Sequence, residues 1–405
     1  MNSRALRLTL ILLIASVASL TAYAEKAEKK EEEKPAYVFE TDYQVKRTPP
    51  KNQYKTGTCW CFSTISFLES EFLRLTGEEI DLSEMFVARH VYPQKALYYV
   101  RMHGKAPFSQ GALSHNAIDA VRRYGIVPES VYPGKCIGEK RHNHGEMFAV
   151  LKAVLDAVLK RSGKRFTGND AKLTPKWPEA FETVLDVYLG KPPETFSYKG
   201  GKYTPKSFLN DYLKINLNDY IELTSYTHHP FYQGCNLEIP DNAWGRYNDS
   251  YYNVPIDDIE RIVEHSLKNG FSVVWDGDIS EHEYSGKRGY GIIPEKDWED
   301  KTEKERDEEI TEPVKEKQIT QEDRQAAFNS FSTTDDHLMH IVGIAHDQNG
   351  TKFYLTKDSS NKSAQGKYNG YVYLSSSYFR LKTIALMVNK NALPDDIAEK
   401  LNLKN

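Results

Sequence analysis

Apolar residues recur at helical spacing through much of the chain, and the pattern changes to strand-like runs after Met339. From Cys59 to Leu75 they fall every three or four positions, and Gly77 follows, which predicts a helix with one buried face. Similar patterns predict helices at 113–124, 147–159, 178–189 and 256–268. Apolar runs predict strands at 270–275, 340–346, 352–357, 370–375 and 383–388. Helices followed by an antiparallel sheet indicate an α+β fold.

Two stretches interrupt this order. Residues 140–225 contain helical patterns separated by polar segments rich in Gly and Pro, which predicts a helical insertion. Residues 295–324 are dominated by Glu, Lys, Asp and Arg, which is typical of a solvated helix or a surface excursion. No internal repeat is evident, so we expect a single folded unit from residue 37 to residue 405.

The N-terminus carries the pattern of a secretory signal peptide. Arg4 and Arg7 precede an apolar run over 8–20, and the run ends at the A-x-A site 22–24. Cleavage after Ala24 would leave residues 25–36 as a charged flexible leader, and an uncleaved anchor is the alternative. We therefore expect a secreted or periplasmic protein that is not bound to a membrane after cleavage.

The overall charge and the cysteine content exclude two classes of protein. The chain has 53 Lys+Arg and 57 Asp+Glu, a net charge of −4, whereas nucleic-acid binding requires a basic domain or stripe. Four cysteines cannot make a disulfide framework, although Cys136 and Cys235 could pair in an exported protein. The histidines His142, His144, His228 and His229 are expected at the surface, because further zinc ligands are missing from their neighbourhood in sequence.

One cysteine occupies a position that favours reactivity. Cys59 lies where a turn containing Gly57 meets the start of the first predicted helix. The unpaired N–H groups and the positive dipole end of a helix favour thiolate over thiol. A small buried side chain is the alternative interpretation of Cys59, and it is the preferred one for Cys61, which faces another direction on the same helix.

A predicted hairpin supplies a base and a carboxylate. If 347–350 is a four-residue loop, His346 lies opposite Thr351, and Met339 lies opposite Asp358. His337 and Asp358 then share a face as diagonal neighbours, at about 7–8 Å. This arrangement suits His337 as a general base and Asp358 as the group that orients its ring.

The two segments together resemble the papain-like cysteine peptidases. Gln53 precedes Cys59-Trp60 by the spacing of that family, and Asp336-His337 with Gly343 matches its second motif. The resemblance implies a two-lobed fold, with the catalytic cysteine on a helical left lobe and the catalytic histidine on an antiparallel β right lobe. It assigns Gln53 and the backbone N–H of Cys59 to the oxyanion hole.

The resemblance also implies contacts with substrate. It places four residues beside the bound peptide, although a plain loop is an alternative for the first two: Gln110, Gly111, Trp60 and Asp336. It implies peptide substrates and no metal or organic cofactor.

Further segments are similar to the branch of bleomycin hydrolase and aminopeptidase C. They are His337-Leu338-Met339, the stretch KPPETF at 191–196 and VPIDD at 254–258, and the similarity extends from Tyr37 to Leu401. In that branch the terminal carboxylate lies in the cleft and holds the α-amine of the substrate. The resemblance therefore implies an aminopeptidase that assembles as a homo-oligomer, a hexamer.

Three departures from the family pattern bear on activity. Asp358 stands where the family has Asn, and its charge should favour the imidazolium while opposing the thiolate. Ser360 replaces a Trp whose indole shields the His–Asn bond from water, so we expect a more exposed pair. The tail is also short and ends Lys404-Asn405. An endopeptidase of the same fold and a catalytically weak peptide-binding or assembly protein therefore remain as alternatives.

Overall fold

The computed structural model describes residues 36–161, 173–243, 251–308 and 310–404. The predicted signal peptide and all but the last residue of the charged leader lie outside these ranges. Within them no helix is sufficiently long and apolar to cross a membrane.

The described residues form nine α-helices of six or more residues. Five precede all strands of the central sheet except its first: α1 (Cys59–Thr76), α2 (Glu84–Arg101), α3 (Ser114–Tyr124), α4 (Gly145–Arg161) and α5 (Trp177–Leu189). Four lie among or after its strands: α6 (Ile256–Lys268), α7 (Gln321–Asn329), α8 (Ser376–Lys382) and α9 (Asp395–Lys400). The chain also forms single helical turns at Glu303–Asp307 and Asn361–Ala364 and a π-helix at Phe208–Leu213.

The strands form one large sheet and one small hairpin. The large sheet contains β1 (Phe39–Gln44), β4 (Tyr220–Thr224), β5 (Gln233–Cys235), β6 (Tyr251–Asn253), β7 (Val273–Gly277), β8 (Tyr284–Ser285), β9 (Tyr290–Gly291), β10 (His337–Asp347), β11 (Lys352–Lys357), β12 (Tyr371–Ser375) and β13 (Thr383–Asn389). Its order is β5-β6-β4-β13-β7-β10-β11-β12-β9-β8, and β1 pairs with β10. All neighbours are antiparallel except β4 with β6 and β12 with β9. The hairpin joins β2 (Phe196–Tyr198) to β3 (Gly201–Tyr203).

The two faces of the sheet pack against different helices. Leu338, Val274 and Met387 share a buried cluster with the apolar residues of α1. Their neighbours along the strands, among them Met339 and Trp275, belong to a second cluster that contains the apolar side of α6. Because successive residues of a strand point to opposite faces, α1 and α6 cover opposite sides of the sheet. The predicted α+β fold is confirmed, and the helices preceding the sheet contact it through α1.

The hairpin that carries His337 differs from the prediction near its turn. His346 lies opposite Lys352 rather than Thr351, so the register next to the turn differs by one residue from the prediction. A bulge between Ile341 and Gly343 then shifts the register by one residue, and His340 lies opposite Lys357. The bulge lies where β1 packs closely, since a side chain at Gly343 would come within 2.6 Å of the Tyr43 carbonyl oxygen. The two one-residue differences cancel, and the predicted relation of His337 to Asp358 survives.

Two further parts of the structure differ from what the sequence predicts. Helix α2 was not predicted, because it is buried on most sides and contains Pro93, so its sequence has no single apolar stripe. Its start is marked by Ser83, whose hydroxyl accepts the Phe86 N–H at 3.0 Å. The region 140–225 is less helical than expected, since it includes the β2–β3 hairpin and ends in β4, a strand of the large sheet.

The charged stretch 295–324 lies largely at the surface, as predicted. Its one helical turn is held by Lys296, whose Nζ lies 2.7 Å from a Glu305 carboxylate oxygen, and α7 begins at its end. The four cysteines are free, so the pairing of Cys136 with Cys235 does not occur in this structure. Cys61 is fully buried and donates to the Glu84 carbonyl oxygen, which agrees with its predicted place in the core.

Candidate active site

Cys59 is the first residue of α1, and only 8% of it is exposed. The turn before it approaches another loop closely, because a side chain at Gly57 would come within 3.0 Å of Gln110 Cβ. The Gly57 N–H also donates to Gln110 Oε1 at 2.8 Å. The sulfur is thereby held at the positive end of an 18-residue helix, where a negative charge is stabilised.

The imidazole of His337 links Cys59 to Asp358. Its Nε2 lies 2.7 Å from Asp358 Oδ1, which leaves Nδ1 to face Cys59, the other hydrogen-bonding partner of the ring. Burial alone would lower the pKa of His337, but the Asp358 carboxylate and Cys59 raise it well above its usual value. The ring therefore carries its proton readily at neutral pH.

Asp358 is fully buried and well supplied with donors. The Ser360 N–H donates to Oδ1 at 2.9 Å, and the hydroxyls of Ser360 and Ser363 donate to Oδ2 at 2.7 and 2.6 Å. Burial would raise the pKa of this carboxyl, yet His337 and the two serines hold it below its usual range. The carboxylate thus stays charged and fixed in one orientation.

The expectation that Ser360 leaves the pair exposed to water is wrong. Only 8% of the His337 side chain and none of the Asp358 side chain is accessible. Ser360 contributes a hydrogen bond instead of an indole, and Tyr284 is a further hydrogen-bonding neighbour of Asp358. Burial first, and then the charge of Asp358, raise the pKa of Tyr284 well above its usual value, which keeps it neutral. These hydrogen-bonding neighbours exclude water in place of the indole.

Gln53 is fixed by the residue that follows Asp358. The Ser359 hydroxyl donates to Gln53 Oε1 at 2.6 Å, and the Gln53 N–H donates to the Ser359 carbonyl oxygen at 2.9 Å. Its side-chain amide donates one N–H to the Thr56 carbonyl oxygen at 2.7 Å. A primary amide has two N–H groups, so one is left for a developing oxyanion.

The other predicted substrate residues have different surroundings. Trp60 is fully buried, and its indole N–H donates to the Gln110 carbonyl oxygen at 3.0 Å, so it supports the loop rather than lining a groove. Gln110 and Gly111 are half-buried, and Gly111 lies against Asp241. Asp336 is exposed, and its backbone N–H donates to the Gly277 carbonyl oxygen at 3.3 Å.

The residues that hold the catalytic candidates in place were not predicted from the sequence. These are Ser359, Ser360 and Ser363 around Gln53 and Asp358, with Tyr284 from a distant strand. The role of the serines could have been predicted from the sequence that follows Asp358. Three hydroxyls within five residues of a carboxylate are well placed to donate hydrogen bonds to it. Tyr284 had none, since it is 74 positions away along the chain from Asp358.

A sequence profile of the Peptidase C1-like family matches residues 8–405. The chain belongs to this family. A bleomycin hydrolase of Gallus gallus is 22% identical over 400 residues, covering 89% of this chain and 84% of the relative. An aminopeptidase G of Lactobacillus delbrueckii subsp. lactis is 24% identical over 397 residues, covering 90% and 86%. The family and these relatives make the protein a papain-like cysteine peptidase.

A solved structure supports the same fold. The crystal structure of PepW from Lactobacillus rhamnosis superposes with a TM-score of 0.68 at 16% identity, covering 99% of this chain and 95% of that one. The two-lobed papain-like architecture expected from the motifs is therefore confirmed.

The C-terminal tail packs on the far side of the sheet. In α9, Asp396 Oδ1 pairs with Arg261 Nη2 of α6 at 3.0 Å, and Ile397 and Leu401 are buried in the cluster that contains the apolar side of α6. Residues 395–404 thus lie on the face opposite α1. The terminal carboxylate of Asn405, which the resemblance would bring into the cleft, lies outside the described residues.

The histidines are arranged differently from the prediction. His142 and His144 are buried rather than exposed, and burial lowers their pKa values to about 4 and about 3. His228 and His229 do have a third neighbour, Glu238, whose Oε2 lies 3.1 and 3.0 Å from their Nε2 atoms. Sequence spacing alone did not bring Glu238 to this pair.

Proposed function

We propose that the protein is an exported cysteine peptidase that uses a Cys59 thiolate and a His337 imidazolium, and that it removes residues from the free N-termini of peptides. The observation that carries the mechanism is the continuous hydrogen-bonded arrangement of Cys59, His337 and Asp358 at the N-terminus of α1. Export is supported by the basic, apolar and A-x-A segments of residues 4–24.

The reaction follows from the positions of these groups. The thiolate attacks the scissile carbonyl carbon, and the carbonyl oxygen becomes an oxyanion that accepts hydrogen bonds from the Cys59 N–H and the free N–H of Gln53. The His337 imidazolium gives its proton to the leaving amine, and an acyl-enzyme remains. The neutral imidazole then takes a proton from water, which attacks the thioester and frees the acid. Asp358 keeps the ring oriented through both steps.

The aminopeptidase activity is supported by the names of the relatives, among them aminopeptidase G and aminopeptidase C. An enzyme of this kind needs a negative group on the acyl side of Cys59, since an ammonium ion leaving water must be paired. Homo-oligomerisation belongs to the same proposal and rests on the resemblance alone.

We expect the mature enzyme to hydrolyse an aminoacyl-coumarin with a free α-amine and to cleave its N-acetylated counterpart at least about tenfold less efficiently. An acetylated substrate offers no charge to the group that binds the amine, and the loss of a charged hydrogen bond is worth about 1.5–3 kcal/mol. The ratio of the two kcat/KM values measures the preference. Equal values for both substrates would instead identify an endopeptidase.

Truncation after Lys400 tests whether the C-terminal tail determines the preference for a free amine. We expect the ratio of free to blocked kcat/KM to be unchanged, because the tail lies on the sheet face opposite α1. The truncated chain should unfold at a lower temperature, since it loses the buried Leu401. If the truncated enzyme cleaves blocked substrates that the full chain rejects, the tail reaches the cleft in solution.

A further inference from the structure

A group of carboxylates lies next to Cys59 and has no part in the mechanism above. Asp335 is two residues before His337, and Asp276 of β7 lies opposite Leu338, the residue after His337. Asp276 is within electrostatic range of Cys59. Asp241 lies against Gly111, where a side chain would come within 2.5 Å of Asp241 Oδ2. The three aspartates therefore lie between the start of β10 and the loop at Gly111.

Among the residues that the structure describes, the charges of this group do not balance. Asp335 and Asp276 share a hydrogen bond, which requires one proton between them. Lys95 is buried and pairs with Asp241, with Nζ 3.3 Å from Oδ1. One proton and one ammonium compensate two of the three carboxylate charges. The third charge is held close to the nucleophile, and a second cation would stabilise it.

Buried acceptors beside the aspartates point to a ligand with several N–H donors. Among the described residues, Asp276 Oδ1, the Tyr251 hydroxyl and His115 Nε2 are buried without a hydrogen-bond partner. His115 Nδ1 lies 2.6 Å from Glu222 Oε2, and its Nε2 is the ring nitrogen that is left without a partner.

These acceptors lie on the α1 side of the sheet. Glu222 lies opposite Met387, which packs with α1, and Tyr251 lies opposite Glu222 on the next strand. The charges of Glu222, Asp276 and Asp335 all act on Tyr251. His115 belongs to α3, which follows the loop at Gly111 directly, so helix and sheet both place unpartnered polar atoms in one region.

We infer that Asp276 and Asp335, with Asp241 at the rim, bind the α-ammonium group of the peptide substrate. The inference rests on the proposed aminopeptidase function and assigns its amine site to side chains instead of the chain terminus. An ammonium group has three N–H donors and one positive charge, which matches the surplus of acceptors and the uncompensated carboxylate. Asp276 is buried and Asp335 only partly so, so Asp335 is the more accessible of the two carboxyls.

The inference predicts a pH dependence. Burial first, and then the charge of Asp241, raise the pKa of Asp335 to about 7. Below that pH the Asp335 carboxyl is neutral, and above it the carboxylate is available, so KM for free-amine substrates should fall as pH rises from about 6 to about 7, below the pH at which the α-ammonium group loses its own proton. The charged and titratable groups that act on Asp335 are Asp241, Asp276, Asp336, Lys95 and Tyr251.

The test compares Asp335→Asn and Asp276→Asn with Asp396→Asn, a matched change on the opposite face. Three coumarin substrates are used: an aminoacyl form with a free amine, its N-acetyl form, and an N-acetyl-lysyl form whose only cation is a side chain. For each cluster variant we expect KM for the free-amine substrate to rise at least about tenfold, with kcat/KM for the N-acetyl form unchanged or higher. Their melting temperatures at pH 8 should also rise, because a buried charge is removed. Asp396→Asn should alter none of these kinetic values.

The possible outcomes are distinguishable. A preference for the free amine that persists in both cluster variants overturns the inference and leaves the aminopeptidase function standing. Selective loss of N-acetyl-lysyl cleavage overturns it as well, because the aspartates then bind a side-chain cation. A wild-type enzyme without preference for the free amine refutes the proposed function, and this inference falls with it.

Discussion

Replacing Cys59 by alanine abolishes peptide hydrolysis in this account, and replacing His337 by alanine lowers kcat by about 10³-fold or more. The first change removes the nucleophile. The second removes the proton donor of the leaving amine and the partner that keeps the sulfur charged, and general acid–base catalysis alone is worth about 10²–10⁴-fold. Both are measured as kcat and KM with the free-amine coumarin substrate.

Two controls separate chemistry from folding. Cys61→Ala changes a buried cysteine on the same helix, two positions from Cys59, and should leave kcat within about twofold of the wild type. His337→Ala leaves the buried Asp358 unpaired, and such a change is destabilising by about 3–5 kcal/mol. The double variant with Asp358→Asn restores stability but not activity. Appreciable turnover in Cys59→Ala would contradict the assignment of the nucleophile.

Asp358→Ala is expected to lower kcat/KM by about 10- to 150-fold, whereas Asp358→Asn should retain activity and can raise it. Alanine removes the acceptor of the His337 N–H, a hydrogen bond to a charged group worth about 1.5–3 kcal/mol. Asparagine keeps an acceptor oxygen and removes a negative charge that opposes the thiolate. The two variants therefore separate orientation of the ring from electrostatics.

The pH profiles of these variants add a second readout. In the wild type Asp358 raises the pKa of His337, so the imidazolium persists to higher pH than in a free histidine. Removing the charge should move the alkaline limb of kcat/KM to lower pH in both Asp358 variants. Wild-type kinetics for Asp358→Ala would show that another group orients His337.

Much of the local structure was predictable because it depends on neighbouring residues. Helix α6 and strand β11 have the predicted bounds, since an apolar stripe and an apolar run identify them directly. The contact of His337 with Asp358 was also predictable, because it lies within one hairpin. The prediction succeeded although the turn was placed wrongly, since the bulge at Ile341–Gly343 restored the register at the open end.

What sequence could not predict depends on distant residues. Asp276 and Asp335 are 59 positions apart, and nothing in either segment shows that β7 pairs with β10. The same holds for Tyr284 beside Asp358. Helix α2 was missed for a different reason, because a helix packed on most sides has no periodic stripe. The acidic group near Cys59 therefore became visible only when the strands were assembled.

The central claim is that Cys59 and His337 form an ion pair, and the rate of alkylation of Cys59 by iodoacetamide tests it most directly. The labelled residue is identified by mass spectrometry at each pH between about 5 and 9, in the wild type and in His337→Ala/Asp358→Asn. The account predicts that wild-type Cys59 is labelled selectively and at a nearly constant rate from about pH 5.5 to 7. In the double variant the rate should rise about tenfold per pH unit, as it does for an ordinary thiol with a pKa near 8.5. A wild-type rate that follows this ordinary thiol profile would contradict the ion pair.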